Sequence, residues 1–127
     1  MRIVFYILFI LTVSCKKPNT SDAGLQIYVP NAFYPNSSVS CPDGDPDCNR
    51  HFQVSFSDET QLAAYEMRIF DRNQVTVFQS VRYHEGWNGR KLNVGKELNG
   101  GIYQVLIKYT DKQNETFIVT KSILLIR

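Results

Sequence analysis

The sequence predicts an all-β fold, either a β-sandwich or a β-barrel of short strands. From Leu25 onward the apolar residues mostly recur at every second position, the period of a strand with one face on a core. Clusters of Gly, Asn, Pro and Asp separate these runs, as tight turns between strands require. The 127 residues also include eight Phe and seven Tyr, and aromatic side chains favour half-buried strands. This length predicts one domain.

Five segments carry the strand pattern, and each is expected to turn alternate residues towards the core. In chain order these residues are Leu25, Ile27 and Val29; Phe52, Val54 and Phe56; Tyr65, Met67 and Ile69; Tyr103, Val105, Ile107 and Tyr109; and the apolar residues of 116–126. The last segment, TFIVTKSILLI, is apolar at both parities towards its end, so we expect it to be more fully buried. Asp58, with Gln61 three residues later, predicts at most one helical turn before the third segment.

Residues 1–14, MRIVFYILFILTVS, are typical of an export signal rather than of a folded domain. Arg2 supplies a positive charge, the run from Ile3 to Val13 is apolar, and Ser14 is a small residue before Cys15. The run is too short to cross a bilayer, which needs about 20 apolar residues. A buried N-terminal strand or helix is the alternative interpretation.

The stretch LTVSC resembles the lipobox of bacterial lipoproteins. That resemblance implies cleavage before Cys15 and three acyl chains on this residue, and several chains anchor a protein stably where one does not. Residues 1–14 are then a lipoprotein signal peptide, residues 15–24 a lipidated cysteine and flexible tether, and residues 25–127 the domain. We expect a lipid-anchored protein of the cell envelope, in the outer membrane, with its periplasmic or surface face undetermined.

With Cys15 acylated, Cys41 and Cys48 remain as a pair. Exported compartments permit disulfides, so we expect a bridge between them, with two free thiols as the alternative. A bridge closing so short a loop contributes about 2.5 kcal/mol in the chain-entropy model, less any strain.

The same loop carries oxygen ligands at every second residue, namely Asp43, Asp45, Asp47 and Asn49. Calcium takes six to eight oxygen ligands, and alternating Asp and Asn can supply several from one short loop. The sequence lacks the Gly and the Glu that an EF-hand requires. Two interpretations remain, a looser calcium site and an acidic turn held by the disulfide.

Few other residues suggest chemistry. Tyr34, Tyr83 and Trp87 are candidate ligand-contact aromatics, although a Trp in such a position more often plugs one end of a sandwich core. His51 and His84 have no partner motif for zinc or for general-base work. No GxSxG, phosphate loop or dinucleotide fingerprint is present, so we expect no enzyme. The formal net charge of +2 gives no basic patch for nucleic acid.

Five motifs in order resemble the gliding-motility-associated C-terminal domain of bacteria with type IX secretion. They are VPNAFYPN at 29–36, MRIFDRNQVTVFQS at 67–80, EGWNGR at 85–90, NGGIYQVLIKYTD at 99–111 and LLIR at 124–127. The resemblance implies a single immunoglobulin-like β-sandwich of about seven short antiparallel strands. Two stretches depart from the family pattern: SSVSCPDGDPDCNR replaces a tight turn, and Arg72–Gln74 replaces RWG.

In that family the domain usually ends a large secreted protein as its sorting signal, whereas here a lipoprotein signal and a tether precede it. We therefore expect a non-enzymatic, lipid-anchored binding or adaptor module related to type IX secretion or gliding motility. Its expected partners are the membrane, through the anchor, and proteins of the type IX translocon or the gliding apparatus. The alternatives are a surface adhesive or glycan-binding lipoprotein, and a structural spacer without a specific ligand.

Overall fold

The computed structural model describes residues 24–36 and 49–127. In these two ranges the chain forms seven strands: β1 (Ile27–Tyr28), β2 (Ala32–Phe33), β3 (Ser55–Phe56), β4 (Leu62–Phe70), β5 (Thr76–Ser80), β6 (Gly101–Asp111) and β7 (Thr116–Leu125). Two single-turn 3₁₀ helices join them, η1 (Glu59–Gln61) and η2 (Lys91–Asn93). The predicted all-β class is confirmed. No helix in the described ranges has the length and apolar character to cross a bilayer.

The strands form two sheets that face each other as a β-sandwich. The larger sheet has the order β2-β7-β6-β4-β5, and the smaller one pairs β1 with β3. β6 and β7 pair without a bulge from Gly101 opposite Leu125 to Thr110 opposite Thr116. The pairs are antiparallel except that β2 runs parallel to β7, a direction left free because no hairpin joins the two strands. β4, β6 and β7 are also longer than the short strands expected, at 9, 11 and 10 residues.

The core lies between the sheets and contains the residues that the alternation predicts. Tyr65, Met67 and Ile69 of β4 are buried, as are the four predicted residues of β6. Aromatic rings gather at the two ends of this core. Phe33, Phe52, Trp87 and Tyr103 form the first group, and Phe56, Tyr65, Tyr83, Tyr109 and Phe117 form the second. Tyr103 and Tyr109 are six residues apart on β6, which separates the groups by about 20 Å.

The prediction for the last strand is wrong, because β7 is not more fully buried than the others. Ile123 and Leu125 face the core, but Ile118 is 67% exposed and Leu124 is 41% exposed. Within the described ranges nothing packs on the outer face of the larger sheet, so the even-numbered side chains of β7 meet solvent. In β7, therefore, apolar residues at both odd and even positions do not indicate that both faces of the sheet are buried.

The predicted helical turn is confirmed as η1. The Asp58 carboxylate caps it by accepting the backbone amide of Thr60 at 3.0 Å and its hydroxyl at 2.6 Å. These two hydrogen bonds lower the pKa of Asp58. The strand pattern that begins at Leu62 ends the helix after one turn.

Candidate binding surface

Most of the predicted site residues lie outside the described ranges: Cys15, Cys41, Cys48, Asp43, Asp45 and Asp47. The lipid site, the disulfide and the calcium site therefore stay predictions. Asn49 is described, and it adopts a left-handed φ of 57° while its carbonyl accepts the Tyr34 amide at 2.6 Å. Across residues 24–36 and 49–127, no group of three or more His, Cys, Asp or Glu is placed to hold a metal ion.

Trp87 lies in the core rather than on the surface. Its side chain is 0% exposed, and its ring packs 5.2 Å from Phe33 and 5.0 Å from Tyr103, measured between ring centroids. The indole Nε1 donates to the carbonyl of Arg90 at 2.9 Å, which satisfies its polar atom. A ligand at the surface has no access to this ring, so the structure supports the core interpretation of Trp87.

Tyr34 and Tyr83 lie at opposite ends of the sandwich. Tyr34 follows β2 at the end where Gly101 pairs with Leu125, and it is 38% exposed. Tyr83 is half-buried, with its ring 5.9 Å from that of Tyr65 at the Tyr109 end of β6. The predicted aromatics therefore do not converge on one ligand surface. His51 and His84 are both exposed, and His84 lies 3.8 Å from the Glu59 carboxylate.

Two asparagines hold the loop between β5 and β6. The Asn88 amide donates to Asn93 Oδ1 at 2.9 Å, Asn88 Nδ2 donates to the Asn93 carbonyl at 3.0 Å, and Asn93 Nδ2 donates to the Gly86 carbonyl at 2.8 Å. Asn93 has a φ of 63°, a conformation that Asn tolerates better than most residues. Because these hydrogen bonds fix the loop around Trp87, the loop supports the fold rather than offering a free binding segment.

Arg127 ties the end of β7 to this loop, a role that the sequence analysis did not identify. Its Nε donates to the Leu98 carbonyl at 3.0 Å, one terminal nitrogen donates to the Gly89 carbonyl at 2.8 Å, and the other reaches Asn36 Oδ1 at 3.3 Å. Glu97 lies 3.9 Å away and balances the charge. The planar guanidinium thus joins three segments at one end of the sandwich.

A surface cleft of about 450 Å³ lies between the β4–β5 turn and residues 96–103. Asp71 and Glu97 are its carboxylates. Asp71 already accepts two amides of its own turn, and Glu97 faces Arg90 at 3.6 Å as well as Arg127. Both acids stabilise local structure, and the cleft presents no nucleophile paired with a base.

The larger sheet has two edge regions of different character. At one edge, β5 lies against η2. At the other edge, β2 covers only Leu124 and Leu125 of β7. From Thr116 to Ile123, no described residue pairs with the outer side of β7. This stretch, which we call the β7 edge, is an extended backbone surface that can accept another strand.

A family model, the CHU_C Type IX secretion signal domain, matches residues 27–126. The matched range begins with β1 and includes all seven strands, so it coincides with the sandwich. A search of curated proteins gave no match. What the family implies therefore applies to the sandwich, and not to residues 1–26.

Proposed function

Because the chain belongs to the CHU_C type IX secretion signal domain family, we propose that it is a lipid-anchored binding module of the cell envelope that contacts the type IX secretion machinery. The family match relates the protein to type IX secretion, and it is the observation that carries the proposal. The family is a sorting-signal family rather than a catalytic one. The described surface agrees with a role in binding other proteins. In the cleft between the β4–β5 turn and residues 96–103, both carboxylates, Asp71 and Glu97, already have structural partners.

The lipid anchor is proposed from the sequence alone. An apolar run with a positive start, followed by LTVSC, supports acylation at Cys15. Residues 15–24 then form a tether that spans at most about 35 Å when extended. On such a tether the sandwich works close to the membrane surface, where envelope proteins of the translocon or the gliding apparatus are within reach. It acts there as an adaptor or a plug at sites that recognise related domains.

A glycan-binding role has less support, because it needs exposed aromatic side chains that lie together. Trp87 is wholly buried, and Tyr34 and Tyr83 belong to opposite ends of the core. No observation in the described ranges favours a spacer over a binding module.

Affinity capture from cells tests the proposal. The full chain carries a tag between Thr20 and Ser21, in the tether, and is cross-linked in whole cells before detergent extraction and mass spectrometry. We expect translocon or gliding proteins to be enriched over a control with the same signal and tether but an unrelated β-sandwich. A second control, Cys15→Ser, removes the anchor and should reduce the yield of these partners. Equal recovery with the unrelated sandwich would contradict the proposal.

A further inference from the structure

The backbone direction along β7 can be read from its short pairing with β2. The amide of Leu124 donates to the Asn31 carbonyl at 2.8 Å, and that of Ile126 donates to the Phe33 carbonyl at 3.0 Å. Even-numbered residues therefore aim their N–H and C=O groups away from β6. Since β6 and β7 pair without a bulge, Ile118, Thr120 and Ser122 aim theirs the same way.

These three residues give the β7 edge a row of three donors and three acceptors. Towards the end of β7 the row stops at Leu124, which pairs with β2, and in the other direction it stops at Thr116, the first residue of β7. An unpaired row of this kind is a template for an added strand. The side chains on the outer face of this stretch are uncharged, and Ile118 is 67% exposed, so it can contact an apolar side chain on an added strand.

The charge of the β7 edge indicates which kind of strand can pair with it. Lys121 is exposed, lies on the core side of the sheet beside Val105, and forms no ion pair within the described ranges. Two copies of the chain paired antiparallel about Lys121, with Thr120 of each opposite Ser122 of the other, would place the two Lys121 side chains directly opposite each other on the same face. Like charges across strands are destabilising, and a charge that points inward from an edge strand is a common guard against self-pairing. A second copy is therefore a poor occupant.

We propose that the β7 edge binds an extended strand of the partner protein, with an acidic side chain directly opposite Lys121. This inference rests on the proposed function, whose partner it describes. Because Thr120 and Ser122 make the hydrogen bonds, Lys121 faces the added strand at a non-hydrogen-bonded position. At such positions of an antiparallel pair the Cα atoms approach to about 4.5 Å and the side chains are close, which suits an ion pair.

Hydrogen exchange of the full chain in mild detergent tests this inference with synthetic peptides at millimolar concentration. The first probe is about nine residues of alternating Thr and Val with a central Glu, the length of an ordinary strand. The second probe has Lys at the centre. The third probe is a pair of peptides, in which the Glu probe carries N-methyl groups either on its odd-numbered or on its even-numbered residues. One peptide of the pair lacks the amides that would donate to β7.

We expect the Glu probe to slow exchange at the amides of Ile118, Thr120 and Ser122. Its affinity should exceed that of the Lys probe by on the order of fivefold, because opposite charges across strands attract and like charges repel. One phase of N-methylation should abolish the protection. The variant Lys121→Glu should reverse the preference, whereas Lys108→Glu, the same change on the neighbouring strand and the other face, should leave it unchanged.

Four results would overturn the inference. They are rapid exchange at the three amides with every probe, equal binding of the Glu and Lys probes, unchanged preference in Lys121→Glu, and slow exchange at the three amides in the free chain. The last result would show that another part of the chain covers this edge. None of these measurements involves the translocon, so a failure here leaves the affinity capture intact, and a failed capture leaves the edge chemistry intact.

Discussion

The ring of Trp87, from the loop after β5, packs edge-on against the ring of Tyr103 on β6, with centroids 5.0 Å apart and planes at 66°. The same indole touches Phe33 of β2 and donates to the carbonyl of Arg90. One buried side chain thus joins two strands of the larger sheet to the loop that precedes β6.

Replacing Trp87 with Ala should therefore destabilise the fold by about 3–5 kcal/mol, the usual cost of removing a large buried aromatic side chain. Urea unfolding measures the change. Trp87→Phe should cost less, because it keeps most of the apolar contact and loses the bond to Arg90. Tyr34→Ala, at an exposed ring, should stay within about 0.5 kcal/mol as a control. A Trp87→Ala chain as stable as the Tyr34→Ala chain would contradict the core role.

Arg127→Lys should destabilise the protein by about 1–2 kcal/mol although it keeps the charge. The guanidinium reaches the carbonyls of Leu98 and Gly89 in two directions, which a lysine ammonium cannot reproduce. Urea unfolding gives the magnitude, and hydrogen exchange should speed up in the loop between β5 and β6. Arg82→Lys is the matched control, because the Arg82 side chain is 78% exposed. Equal stability of the two variants would show that Arg127 is not an anchor.

The Glu85 carboxylate should respond to a change at Ser80. The Ser80 hydroxyl donates to Glu85 and Arg82 lies beside it, and both lower the pKa of Glu85 from its ordinary value of 4.5. A lowered pKa in the folded state stabilises the fold above the unfolded pKa, and this contribution is lost as the pH falls through the folded pKa. Ser80→Ala should raise the pKa of Glu85, measured by NMR titration of its carboxyl.

The control for this prediction is Glu85→Gln, which should remove the same part of the acid dependence of unfolding. A pKa of Glu85 that is unchanged in Ser80→Ala would mean that the hydroxyl bond does not form in solution.

Much of the sandwich is predictable from the sequence because one face of each long strand is buried. The alternation of Tyr65, Met67 and Ile69 places them in the core, and Asp58 marks the turn of helix that directly precedes β4. The pattern fails at β7. Its apolar residues at odd and even positions predict burial on both faces of the sheet, but in the described ranges only the odd-numbered side chains face the core. Alternation gives the period of a strand but not which of its faces another sheet covers.

The binding surface is less predictable, because it depends on which strands lie at the edges. Nothing in residues 116–123 distinguishes an edge strand from a central one except Lys121, whose charge is typical of an edge. The role of Arg127 also depends on tertiary structure, since its partners Leu98 and Gly89 are distant in sequence. Trp87 was open to two interpretations, and only the packing of its neighbours distinguishes them.

The cysteine loop gives a further prediction. Of the two interpretations that the sequence leaves open, we propose the acidic turn closed by a Cys41–Cys48 bridge rather than the calcium site. We expect reducing agent to lower the free energy of unfolding by about 2.5 kcal/mol. We also expect neither EDTA nor millimolar calcium to change the melting temperature. The double variant Cys41→Ser and Cys48→Ser should not respond to reducing agent. A melting temperature that calcium raises and EDTA restores would establish the calcium site instead.

The central claim is that this sandwich is held at the membrane by lipid on Cys15, and intact-mass spectrometry of the chain purified from membranes tests it most directly. The account predicts a mature protein that begins at Cys15 and carries the mass of its acyl chains, with the Cys15→Ser variant unprocessed. A chain that retains Met1, or one cleaved at Cys15 without lipid, would contradict it.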